Sequence, residues 1–454
     1  MNNTNIAITA FLLTCSTFSV GATNVVSLEQ AITLAQQNDP WLHGSKLKQS
    51  AVENLSVASG TLPDPKVSIS MMNLPVDSFN LNQEAMTQFK LGVSQTFPRG
   101  DTLAIKRSKL QVESAKYPLL RADRKAKLKS LVSQLWLDAF LAQQTISLIE
   151  KDRALFEQMA EVAKASYSNA VGKTRQQDVI RAQLEIIQLE DRLTSQTQKY
   201  ETSLAKLNEW LHVFDDTNLD KAFSYEQGSM TFQVSSELPA LKIQNPKYLD
   251  LANYSRSAVA KSLNRHPAIQ AIAVKHQVSE QAIALTKEQY KSQWGVNASY
   301  GYRDDMPTGE SRADLFSVGV TFDLPLFTEN KQDREVAAAQ AEAEAVKTEK
   351  LLLTKKMLSS IEKELRQLKR LADRQVIYQE QLLTQTHEQA EASLTAYTND
   401  DGDFAEVVRA RIAELNARIS ALKINVDALK TVARINYLFA RTGQGAEPVN
   451  DTNS

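Results

Sequence analysis

Four short stretches of this chain alternate apolar and polar side chains with a period of two, and several long ones repeat apolar residues every three and four positions. In the first alternating stretch Val67, Ile69 and Met71 share one face and Lys66, Ser68 and Ser70 the other. In the second, Phe89, Leu91 and Val93 oppose Lys90, Gly92 and Ser94. The design recurs as Trp294, Val296, Ala298, Tyr300 and Tyr302 against Gly295, Asn297, Ser299 and Gly301. It recurs again as Phe316, Val318, Val320 and Phe322 against Ser317, Gly319 and Thr321. A period of two predicts strands with unlike faces, one greasy and one small and polar. A sheet in water alternates in the same way, whereas a membrane barrel wants its apolar face outward and aromatic residues at its rims.

The helical pattern is stronger. Leu128, Val132, Leu135, Ala139, Ala142, Ile146 and Ile149 follow a 4,3 spacing, as do Leu358, Ile361, Leu365, Leu368 and Ala372. Shorter helices answer with Val179, Ala182, Ile186, Leu189 and Leu193, and with Leu415, Ile419, Leu422, Val426 and Leu429. This is the seam of a coiled coil. From about 99 to 168 and about 331 to 397, little but Pro118 interrupts the helix; roughly 70 helical residues rise about 100 Å.

The pattern occurs twice. Pro40 aligns with Pro267, Gly92 with Gly319 and Pro98 with Pro325, each pair 227 positions apart, and Val179 aligns with Val407 at 228. Such self-similarity predicts one supersecondary design used twice. The organisation expected is a signal peptide over 1–22, a first repeat over 23–211, a linker over 212–255, a second repeat over 256–440 and a flexible tail over 441–454. The first repeat would hold strands at about 65–72 and 89–97, a long helix at about 99–168 and a tip at about 169–175. The second would hold strands at about 294–302 and 315–323, a long helix at about 331–397 and a tip at about 398–403. The fold class is mainly α with a small β part, each repeat running helix, strand, strand, long helix, helix.

Four strands cannot cross a bilayer alone, because open sheet edges would leave backbone groups unpaired in lipid. Three copies supply twelve strands and room for a lumen, whereas two supply eight, which side chains fill. The pattern therefore predicts a trimer with a 12-stranded barrel continued by a helical tunnel.

Composition changes this picture little. Fourteen Gly and twelve Pro in 454 residues suit a helical chain, and 52 basic against 53 acidic residues give no footprint for nucleic acid. Residues 6–20 form a short apolar run ending in Val20-Gly21-Ala22, as in an exported protein. Cys15 is the only cysteine, so no internal disulfide forms; it either leaves with the signal or, reading Leu12-Leu13-Thr14-Cys15 as a lipoprotein box, is acylated.

In order and wording these segments resemble the TolC family of outer-membrane efflux proteins over essentially the whole mature length. The segments are GVSQTFPRGDTLAIKR with GVTFDLPLFTENKQDR at the strand-to-helix turns, around Pro98 and Pro325, and YSNAVGKTRQQDVIRAQ with YTNDDGDFAEVVRAR at the hairpin tips. SQTFPRGDTLAIKR is most similar to the heavy-metal branch, the copper, silver or cobalt-zinc-cadmium exporters. The resemblance implies a homotrimer in outer-membrane lipid, docking onto a periplasmic adaptor and an inner-membrane pump of the resistance-nodulation-division type, with no cofactor. It implies a passive exit duct for small solutes. Drug-efflux and type I secretion ducts share the architecture, and a periplasmic adaptor or coiled-coil structural protein is the alternative without a channel. An enzyme would need a catalytic constellation, and no phosphate loop, zinc motif or nucleophile elbow occurs.

The tips carry opposite charge: Lys173 and Arg175 in the first, Asp400, Asp401 and Asp403 in the second. Ion pairs between them would close the periplasmic entrance, or the acidic ring would attract cations; alternatively these residue types simply suit solvated turns. Val171, Gly172 and Gly402 are the expected adaptor contacts, with Lys173 where the family often has Leu. His43, His212, His266, His276 and His387 show no ligand spacing and read as surface or interface residues, and the acidic residues read as occupants of exposed helix faces. Met71, Met72, Met86 and Met306 gather near the strand-connecting loops, as rim packing or as thioethers for Cu(I).

Overall fold

A computed structural model describes residues 25–168, 176–212, 232–244, 255–399 and 401–442. The signal segment, the first tip with Val171, Gly172, Lys173 and Arg175, and Asp400 in the second all lie outside these residues. With 70% helix and 10% strand, the chain is mainly helical with a small sheet. In order the elements are β1 (Val25–Val26), α1 (Leu28–Gln37), α2 (Pro40–Ser59), β2 (Lys66–Met72), β3 (Gln88–Phe97), α3 (Thr102–Ser114), α4 (Lys116–Ser168) and α5 (Gln176–Leu211). They continue as β4 (Gln233–Val234), α6 (Arg256–Leu263), α7 (Pro267–Lys287), β5 (Trp294–Tyr302), β6 (Leu315–Phe322), α8 (Gln332–Ile377), α9 (Leu383–Thr398) and α10 (Phe404–Leu438).

The chain divides into two compact units, one drawn from residues 1–38, 135–240 and 395–409, the other from 39–134, 241–394 and 410–454. In the first, β1 pairs in parallel with β4, and the buried Trp136 donates its Nε1–H to the Val26 carbonyl at 3.0 Å while stacking on Phe140. A capping box of Ser27 and Gln30 starts α1, satisfying two orphan backbone donors reciprocally. Asn38 ties the end of α1 to the Leu211 carbonyl of α5.

In the second unit α6, α7, α8 and α10 close a core of Val259, Leu263, Ile269, Ile361, Leu365 and Ile435, each almost wholly buried. The sequence repeat is visible in how its helices begin. Asp39 caps α2 with Pro40 at its first position, and 227 residues later His266 caps α7 with Pro267. Proline there fixes φ without losing a needed donor.

Pro118 interrupts its helix as expected, and two details differ from the sequence pattern. The first long helix breaks at Ala115, because Pro118 lacks an N–H and its ring clashes with the carbonyl of Ser114, so α4 must begin afresh. The second contains a π turn at Tyr378–Leu382, between α8 and α9. Just ahead of that turn the buried stripe rotates: Ala372 is exposed, and Leu371 packs with Ile424 and Ala428 of α10 instead.

Candidate functional site

The four longer strands form one antiparallel sheet in the order β2-β3-β5-β6, so the two repeats meet at β3 and β5. Directly opposed residues share a face, and the register lines up whole rows. Ile69, Leu91, Tyr300 and Phe316 form one row, and Val67, Val93, Ala298 and Val318 the next. Phe97, Trp294 and Phe322 end the face, the last two rings 4.9 Å apart. None of the described residues covers this face: Phe316 is 72% exposed, Ile69 67% and Val318 63%.

The opposite face carries rows such as Lys66, Ser94, Asn297 and Gly319, and Ser70, Lys90 and Gly301. Side chains from neighbouring strands lie over its glycines. A Cβ at Gly92 would stand 2.7 Å from the Ser68 hydroxyl, and one at Gly319 2.6 Å from the Asn297 side-chain oxygen. β2 and β6 each pair with one strand only, leaving two open edges.

The connecting loops, 73–87 and 303–314, hold each other. Arg312 donates to the Glu84 and Asn82 carbonyls at 3.1 and 3.4 Å, Arg303 to that of Ala85 at 3.4 Å, and the buried Thr87 donates to the Asn73 carbonyl. Met71 and Met72 are consecutive on β2 and project to opposite faces.

At the other end of the sheet, Pro98 and Pro325 stand where the strands have ended and supply no N–H to continue the ladder. Beside them the turns of the two repeats are clamped together. Arg99 pairs with Asp323 and donates to the Lys291 carbonyl at 2.6 Å, and Asp323 accepts the Gln293 N–H at 2.7 Å. Glu288 accepts the Asp101 N–H at 2.8 Å and pairs with Lys291. Hydrogen bonding from Lys291 holds the Glu288 carboxyl below its usual range and raises the Lys291 ammonium above its own. Gly100, at φ +41°, packs against both side chains.

At the second tip, Asp403 Oδ1 accepts the Ala405 N–H at 3.1 Å, the Asp401 N–H reaches the Ala396 carbonyl at 2.9 Å, and a Cβ at Gly402 would meet the Tyr397 nitrogen at 2.7 Å. Here Asp and Gly serve the turn itself, and Asp401 is exposed.

Sequence reasoning missed the buried charges. Asp39, Asp123, Glu364 and Glu414 are buried rather than on exposed faces, and His266 is 1% exposed. Arg124 pairs with Asp39 and Arg434 with Glu364, both at 2.8 Å. Tyr437 donates to Asp123 at 3.1 Å, and Glu414 is surrounded by His387, Arg411 and Arg418. His266 accepts the Ala268 N–H through Nδ1, which leaves its Nε2–H to donate to the Tyr437 carbonyl at 3.0 Å; burial lowers its pKa. The i,i+3 and i,i+4 spacings of Arg411, Glu414 and Arg418 were the one local signal of this network.

No family model and no curated protein matches the chain. Solved structures do. It is similar to the CmeC outer-membrane channel of Campylobacter jejuni at 13% identity and TM-score 0.71, over 97% of this chain and 94% of that one. Similarity to the outer-membrane channel OprN has the same identity and TM-score, over 91% and 90%. For CusC, described as forming a transmembrane channel, the values are 14% and 0.69, over 90% and 91%. The fold is that of TolC-family outer-membrane channels, and the heavy-metal branch is not singled out among them.

Proposed function

We propose that the chain is one protomer of a homotrimeric outer-membrane exit duct in a tripartite efflux system. The sheet carries this reading: a bare apolar face, a crowded polar face and two open edges belong together only if copies close the edges and lipid covers the apolar side. Aromatic residues stand at both ends of that face, Phe97, Trp294 and Phe322 at one and Phe89, Tyr300 and Tyr302 at the other, matching the interfacial girdles of a barrel. The wider resemblance supplies the partners, an adaptor at the helical tips and an inner-membrane pump of the resistance-nodulation-division type. At those tips Lys173 and Arg175 would pair with Asp400, Asp401 or Asp403 as a gate, beside Val171, Gly172 and Gly402 as adaptor contacts. A periplasmic adaptor would have no use for the exposed apolar rows. Heavy-metal cations are the cargo that the segment SQTFPRGDTLAIKR suggests.

The test is fractionation with planar-bilayer recording. Heat-sensitive trimers in the outer membrane that conduct support the duct; a chain that fractionates with the soluble periplasm and never conducts refutes it. For cargo, sensitivity of a deletion strain to Cu, Ag, Zn, Co and Cd salts is set against sensitivity to dyes, bile salts and antibiotics.

A further inference from the structure

From the polar face of the sheet we infer that the barrel segment of this duct prefers anions, and that Lys90 and Lys66 set the preference. The inference rests on the duct reading and specifies what that duct conducts best. No Asp or Glu occupies any position of β2, β3, β5 or β6, and the only charged residues in the four strands are these two lysines. Both lie on the polar face. Lys90 stands opposite Ser70 and Gly301, and Lys66 opposite Ser94, in a row continued by Asn297 and Gly319. Every neighbour across the strands is small and neutral, and neither ammonium has an ion pair among the described residues.

Acidic residues just beyond the strands are largely engaged. Asp323 is bound by Arg99 and the Gln293 amide, and Asp314 by the Tyr300 hydroxyl and the Arg303 amide at 3.0 Å. Asp64 lies exposed before β2. The loops 73–87 and 303–314 bring further carboxylates, but at an open mouth, where salt screens a charge within about 10 Å. Fixed charges inside a low-dielectric wall act less screened, and rings of Lys or Arg are how pores favour anions.

Closed by three copies, the sheet would place two rings of three lysines about 13 Å apart along the strands, from the four-residue offset between the rows. Glycine and serine around them leave the ammonium groups as the longest side chains of the polar wall. Within the barrel segment, an anion is then favoured over a cation of the same size.

The experiment is the chloride-to-potassium permeability ratio of purified full-length trimers in planar bilayers, taken from reversal potentials in a KCl gradient. The wild type is compared with Lys90→Glu, Lys90→Gln, Lys90→Arg and Lys66→Gln. Relative to wild type, the ratio is expected to fall at least about threefold in Lys90→Glu, by less in the two Gln variants, and to stay unchanged in Lys90→Arg. Ratios equal in all five proteins overturn the inference. Folded, heat-sensitive trimers that never conduct overturn the duct reading instead, so the two failures are distinguishable.

Discussion

The sheet and the helices around it treat the hydrophobic effect and electrostatics in opposite ways. The helices bury their apolar side chains and draw carboxylates such as Glu364 and Asp39 inside with an arginine on each. The sheet leaves its apolar rows bare and carries no carboxylate at all. Each region is consistent with a different solvent. A buried carboxylate is tolerable when its partner is in place, and a bare apolar face when hydrocarbon rather than water meets it. One chain follows both rules.

Removing one member of a helix pair should have the largest effect. Arg434→Ala leaves the buried Glu364 only the exposed Lys363, at 3.2 Å, and should cost about 3 kcal/mol in chemical unfolding of the detergent-solubilised protein, whereas replacing both Arg434 and Glu364 with apolar residues should recover most of that loss. A charge on the bare face comes next. Val318→Arg should cost about 2–4 kcal/mol if the residue faces mid-bilayer, read as lost heat-sensitive trimer, while Ser317→Arg on the polar side should assemble. Equal tolerance of both would erase the contrast between the faces.

A smaller effect is expected at His266. Burial lowers its folded pKa below the unfolded value, so its contribution is complete above about pH 6.5 and is lost as pH falls through the folded value. Asp123 and Lys127 act on it with opposite signs. His266→Asn keeps a capping side chain without the titration and should flatten the fall in melting temperature below pH 6.5. Asp403→Ala should cost least, about 1 kcal/mol for a lost helix cap, measured by hydrogen exchange at the start of α10.

Much of this contrast could be read before any coordinates, because it is written in short-range patterns. A period of two assigns Val67 and Lys66 to opposite faces without knowledge of the neighbours, and a 4,3 spacing marks α4 and α10 as helices. Pro98 and Pro325 announce where strands stop, and Pro118 where a helix must restart. What failed to show depends on distant partners. Arg434 lies 70 residues from Glu364, Tyr437 314 from Asp123, and Arg99 224 from Asp323. No local pattern distinguishes a glutamate that will meet an arginine from one that will meet water. The π turn likewise has no punctuating Gly or Pro within Tyr378–Leu382. Of the proposed gate, only Asp401 and Asp403 fall within the described residues, so the charge complementarity of the two tips remains a proposal from sequence.

The two open edges of the sheet bear on how such a chain reaches its destination. Among the described residues, β2 and β6 each offer an unpaired backbone ladder beside a largely apolar face that Gln95 interrupts, the combination that templates aggregation. On the proposed duct reading, a lone protomer in water is an assembly intermediate whose survival depends on how soon it meets other copies, and folding yield should rise with local protomer concentration where edge pairing competes with misassembly.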